Sequence, residues 1–258
     1  MLLTSLLALS LAQSGAARAQ LTVPPHRWTI DYGRVSCTLA RPLGEEGSAI
    51  IAFNAPLGRE PGELLVMEGG TGLDPRLRGE VGVRVDDGPP LILHASAERR
   101  NGRSVVKLLP MPEDFLGRVA GAHQLSLTKG NEVLLSLAMP NVRGAIDELG
   151  RCNDDLLQSW GIDMAARRAL RRQPQLKSAD WAIDILPTAE TFLVFAAEVS
   201  DRGAPLGCRV VVSSGNERMD HAVCQLVRSR ARFDPALDSA GRPVPAQYVT
   251  RLHWTVDD

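Results

Sequence analysis

The chain has no excess of charge of either sign: 29 lysines and arginines stand against 30 aspartates and glutamates, a net charge of -1 over 258 residues. A balanced chain sets up no field that gathers nucleic acid or an anionic surface, so nucleic-acid binding is excluded as its organising function. After the first twenty residues no apolar run reaches the roughly 20 helical residues that a membrane crossing needs. Aromatic residues make up only 4% of the chain. No Cys-x-x-Cys spacing is present, and His26, His94, His123, His221 and His253 include no pair at ligand spacing, so neither metal nor cofactor is expected. The Gly-x-Ser-x-Gly elbow, His-Glu-x-x-His and the phosphate-cradling Gly-x-x-x-x-Gly-Lys are all missing. Gly69-Gly70-Thr71-Gly72 imitates the last of these, but no lysine and no helix follow it, and it reads as a flexible loop. Asp86-Asp87 and Asp154-Asp155 are adjacent carboxylates that point apart and serve turns and helix caps. No catalytic residue is expected, and the chain reads as non-enzymatic.

What is present begins with an apolar run from Leu2 to Leu11, followed by Ala17-Arg18-Ala19, whose small residues suit a signal peptidase cutting after Ala19. Residues 1–19 are therefore expected to be a cleaved signal peptide, although no basic residue precedes Leu2. A core of about ten apolar residues is too short for a permanent anchor, and no cysteine follows it to carry lipid. Export to an oxidising compartment makes disulfides the expected state of Cys37, Cys152, Cys208 and Cys224. Four cysteines allow three full pairings. Cys37 with Cys152 and Cys208 with Cys224 is the pairing that keeps each bridge inside one region, and two free buried thiols are the alternative for the first pair.

The fold class expected is α+β. Residues 20–160 form a first region in which Trp28 to about Met139 alternates short apolar strands with turn signals, the pattern of an antiparallel, sandwich-like sheet. The strands read are Ser48 to Asn54, Glu63 to Glu68, Glu80 to Val85, Leu91 to Ala97, Ser104 to Leu109, Gln124 to Thr128 and Glu132 to Leu137. Asp86-Asp87-Gly88, Arg100-Asn101-Gly102 and Lys129-Gly130-Asn131 supply hairpin turns. A helix from Asn141, interrupted near Gly150, closes this region. Residues 161–180, with Arg167, Arg168, Arg171 and Arg172, are helix-prone up to Pro174 but lack an apolar stripe, and read as an arginine-rich linker or solvated helix. Residues 181–258 follow as a second region, in the order strand, strand, helix, strand. In its helix Met219, Val223, Leu226 and Val227 form an apolar stripe with Cys224 beside it.

That second region resembles the carboxy-terminal domain of the TonB family of energy transducers. The resemblance is carried by Val212-Ser213-Ser214-Gly215-Asn216, Met219-Asp220, Ala231-Arg232-Phe233-Asp234-Pro235-Ala236 and Gly241-Arg242-Pro243-Val244, followed by an aromatic-bearing last strand. It implies a three-stranded antiparallel sheet with helix on one face, a Gram-negative periplasm, and a protein or peptide partner in the envelope, such as an outer-membrane transporter, bound by strand addition. The edge expected to bind runs from Gln247 to Thr255, with Tyr248, Thr250, Leu252 and Trp254 on one face and Val249, Arg251 and His253 on the other. Transducers of this family also carry an uncleaved membrane helix and a proline-rich spacer. This sequence shows neither, so the resemblance implies binding without energy transduction. Two alternatives stand beside it: an envelope scaffold that homodimerises through the second region, and a hydrolase with its site in the first.

Overall fold

A computed structural model describes residues 27–43, 48–55, 57, 62–68, 73–100, 102–112, 114–178 and 191–254. The expected signal peptide, His26, Gly69 to Gly72, Asn101, Trp181 and Thr255 lie outside the described residues.

Alternation of apolar and polar residues is what builds the first region. Nine strands form one antiparallel sheet: β1 (Thr29–Tyr32), β2 (Cys37–Leu43), β3 (Ala49–Asn54), β4 (Gly62–Glu68), β5 (Gly79–Val85), β6 (Leu91–Arg100), β7 (Arg103–Met111), β8 (Gln124–Lys129) and β9 (Glu132–Ala138). Their spatial order is β1-β2-β3-β4-β7-β6-β5-β8-β9. Strand side chains switch faces with a period of two, so β2 buries Cys37, Leu39, Arg41 and Leu43 while the residues between them are only half-buried. One apolar core gathers these faces, with Phe53, Leu64, Leu108, Leu125 and Leu127 fully buried. A short helix, α1 (Phe115–Val119), adds Phe115 and Val119 to it.

Helix α2 (Val142–Ser159) then closes the region and packs on β1 and β2. It runs unbroken through Gly150, where an interruption was expected. A glycine inside a helix costs only about 1 kcal/mol, less than is gained by burying Val142, Leu149, Cys152 and Leu157 on one face. Cys152 on this helix is joined to Cys37 on β2 across 115 positions of sequence.

The helix-prone arginine-rich stretch forms one short helix and, beyond what was expected, one strand. It holds α3 (Met164–Arg168), capped by Asp163, whose Oδ1 accepts from the Ala166 amide at 2.9 Å. It also holds β10 (Gln175–Ser178), which pairs with β13 (Arg232–Asp234) of the second region. The pairing is made by backbone groups between strands far apart in sequence, so the surface-like side chains gave no sign of it.

The second region consists of β11 (Thr191–Val199), β12 (Pro205–Val212), α4 (Glu217–Arg230), β13, two short paired strands β14 (Ala236–Leu237) and β15 (Pro243–Val244), and β16 (Ala246–Trp254). Its three-stranded antiparallel sheet has the order β12-β11-β16. This mixed α+β architecture, a large antiparallel sheet closed by a helix and then a small sheet with one, is the class expected.

Candidate functional site

The second region is organised around the chain reversal after β12. Ser213, Ser214 and Gly215 leave the strand, with Gly215 at a positive φ of 85°, a conformation that costs glycine little. Asn216 then caps α4: its side-chain oxygen accepts from the Arg218 and Met219 amides at 3.1 and 3.3 Å, satisfying donors that a helix start leaves without partners. Asp220 reaches back from the first turn of the helix to the Ser213 and Ser214 hydroxyls at 2.5 and 2.6 Å. These groups, which in isolation resemble a nucleophile beside a carboxylate, are thereby committed to the turn.

Helix α4 lays Met219, Val223, Cys224 and Val227 inward, and Cys224 is joined to Cys208 on β12. Between helix and sheet Phe233 meets Tyr248 edge-on, with ring centroids 5.0 Å apart, and Leu193, Phe195, Ala197 and Val199 of β11 complete the core. The opposite face of the same sheet is also buried. Val194, Ala196, Val212 and Val249 pack there against Leu157, Trp160 and Ile162, contributed by the end of α2 and the residues after it. With both faces covered, a macromolecule can reach this sheet through its margins, its ends or the outer side of α4.

The two margins differ. Along β12 the disulfide holds α4 close, and Arg228 Nη1 donates to the Cys208 carbonyl at 3.4 Å. β16 is the other margin, pairing with β11 from Thr191↔Trp254 to Val199↔Ala246. Of the residues expected to bind, Tyr248, Val249 and Thr250 have buried side chains, Arg251, Leu252 and Trp254 are half-buried, and His253 is exposed. Any contact at Tyr248 to Thr250 therefore falls to backbone groups.

A cavity of about 410 Å³ lies at the Ala246 end of β16, between α3 and the β11–β12 hairpin. The Arg167 guanidinium on its wall donates from Nη1 to Gln173 Oε1 at 3.1 Å. Partial burial pushes the Arg167 pKa below the usual guanidinium value, with the Asp154 charge acting in the opposite direction. Sequence reasoning did not find this cavity, because its walls come from residues 161–173, 198–206 and 245–247. Among the described residues no group of three or more histidines, cysteines, aspartates or glutamates could hold a metal ion, and His94, His123, His221 and His253 are all exposed.

Residues 193–256 match the family model described as the Gram-negative bacterial TonB protein C-terminal. This part of the chain is a TonB C-terminal domain. No curated protein matches the chain. Among solved structures, the crystal structure of invasion associated protein B from Bartonella henselae is similar at 14% identity with a TM-score of 0.38, covering 52% of this chain and 99% of that one. At that score the likeness adds nothing to the fold described above. The match to the TonB domain model begins inside β11 and ends past β16, so it contains both margins, α4 and the Cys208–Cys224 bridge. It leaves out the nine-stranded sheet, α3 and about half of the cavity wall. Among the described residues no helix is long and apolar enough to cross a membrane.

Proposed function

We propose that this is a non-enzymatic periplasmic protein whose TonB C-terminal domain binds a protein partner of the Gram-negative envelope along β16, while the nine-stranded region serves as the rigid body that carries it. The observation behind this reading is a TonB C-terminal domain whose two sheet faces are both covered, which directs contact to its margins. The β12 margin is crowded by α4, and that favours β16. Strand addition draws affinity from backbone groups and selectivity from alternate side chains, and the burial of Tyr248, Val249 and Thr250 is compatible with it. Two disulfides accord with an oxidising compartment.

The test is a photo-crosslinking residue placed, in the full chain expressed in cells, at Gln247, Arg251 or His253, with Ile92 on the first region as the reference position. Adducts to an envelope protein are expected from the β16 positions and not from Ile92. A β16 series that gives no more adduct than Ile92 would remove the reading. Adducts only to a second copy of this chain would replace it with a dimerising scaffold.

A further inference from the structure

The cavity beside α3 has on its wall a cation with no direct ion-pair partner among the described residues. Arg167 is half-buried, and among the described residues no carboxylate lies within ion-pair distance of it. Asp154, the carboxylate whose charge reaches it, is already engaged by Arg168 at 2.5 Å. The two acids on the cavity wall are Asp163 and Glu198. Asp163 is spent on capping α3, and Glu198 is exposed. The Arg167 side chain is nevertheless held in place: Gln173 accepts from its Nη1 at 3.1 Å and donates from Nε2 to its carbonyl at 2.8 Å. A guanidinium has five N–H donors in a fixed fork that suits a carboxylate in two-point contact, and pre-positioning it lowers the entropy lost on binding.

The rest of the cavity is apolar or amide-bearing. Ile162, Leu170, Val199 and Ala246 line it, Leu206 stands on its rim with 65% of its surface exposed, and Gln247 closes the β16 side by accepting from the Asp163 amide at 2.9 Å. Its volume falls within the few hundred Å³ typical of ligand pockets. Pro245, Ala246 and Gln247 put the start of β16 in its wall, so the cavity adjoins the end of that margin. We propose that this cavity receives an aspartate or glutamate side chain of the extended partner segment, paired with Arg167, while a neighbouring apolar residue of that segment covers Leu206. This deepens the β16 reading and rests on it for the direction from which the peptide arrives.

The test uses the full, disulfide-bonded chain with labelled backbone amides. The probes are a capped hexapeptide of alternating valine and threonine carrying one aspartate, and its counterpart carrying asparagine. The aspartate peptide is expected to shift the amides of Gly161, Ala166, Gln173 and Gln247 and to bind about tenfold or more tightly than the asparagine peptide, the ratio for a hydrogen bond to a charged group. Arg167→Gln should erase that preference. Leu206→Glu, at an exposed position that cannot disturb the core, should weaken the aspartate peptide selectively. Equal binding of the two peptides, or a preference that survives Arg167→Gln, overturns the proposal. Shifts confined to residues 248–254 overturn it while supporting the β16 reading. Shifts at the cavity amides with residues 248–254 silent support the cavity and overturn the β16 reading, and silence at both sets overturns both.

Discussion

The nine-stranded region and the TonB C-terminal domain solve the same burial problem with unequal means. The first closes one large core from its own alternating strands and ties its last helix to its second strand by a bridge spanning 115 positions. The second has three full strands and one helix, a bridge spanning 16, and a sheet whose second face is covered by Leu157, Trp160 and Ile162 from outside the domain. Small domains bury a smaller share of their surface and rely more on staples. Here the small domain relies on a staple and on the tail of its neighbour. The regions are thus coupled by a shared apolar layer, which a flexible spacer would not provide.

The comparison can be broken first at the long bridge. In the loop-entropy model a bridge over this span contributes about 5 kcal/mol, and one over 16 positions about 3 kcal/mol. Cys37→Ser with Cys152→Ser should therefore depress the unfolding of the nine-stranded region more than Cys208→Ser with Cys224→Ser depresses that of the domain, as read by denaturant titration with region-specific amide exchange. The reverse order would show that strain or residual unfolded structure outweighs loop length.

Between those two in size stands the shared layer. Trp160→Ala opens a hole against Val194, Ala196 and Val249 and is expected to cost about 4 kcal/mol, within the range for removing a buried aromatic. Protection should fall in β11 and β16 as well as in α2. If exchange in the TonB C-terminal domain stays unchanged, the two regions are independent and the contrast drawn above fails.

How far these features could be read from sequence depended on whether the signal was local. The seven strands read in the first region lie within two or three residues of their observed bounds, because alternation and turn residues act over short spans. The apparent break at Gly150 was a local signal overruled by the burial of Leu149, Cys152 and Leu157. The run Leu193-Val194-Phe195-Ala196-Ala197 is apolar without alternation, the mark of a strand covered on both faces. The pattern alone does not identify Trp160 as the cover. Arg41 sits on the core face of β2 with only 4% exposure, its guanidinium 5.1 Å from the Trp28 ring and its Nε and Nη1 without hydrogen-bond partners. A charged residue inside a β-rich passage reads as outward-facing, and only the register of its neighbours places it inside. The cavity at Arg167 joins segments some 80 positions apart, and nothing in any one of them points to the others.

The smallest effect expected concerns two exposed turns, one in each region, that use a carboxylate in the same way. Asp86 accepts from the His123 and Gln124 amides at 2.9 and 2.8 Å and holds the β5–β6 turn to β8. Asp238 accepts from the Ala240 and Arg242 amides at 2.9 and 2.8 Å in the turn between β14 and β15. In each case those backbone donors favour the charged form, and the carboxyl is held below the usual carboxylate range. A folded pKa below the unfolded one contributes stability that is complete above the unfolded value and is lost as pH falls through the folded one. Both turns should therefore weaken on acidification from about pH 5 to about pH 3, around the ordinary aspartate value. Asp86→Asn should flatten the acid limb of the nine-stranded region alone, and Asp238→Asn that of the TonB C-terminal domain alone, in amide exchange followed across that range. Both carboxylates are half-buried and still reach solvent, so each change should be smaller than that of either bridge. An acid limb that keeps its native slope in both variants would mean that other carboxylates govern it. A variant that flattens both limbs would show that the layer around Trp160 transmits a local turn into the neighbouring region.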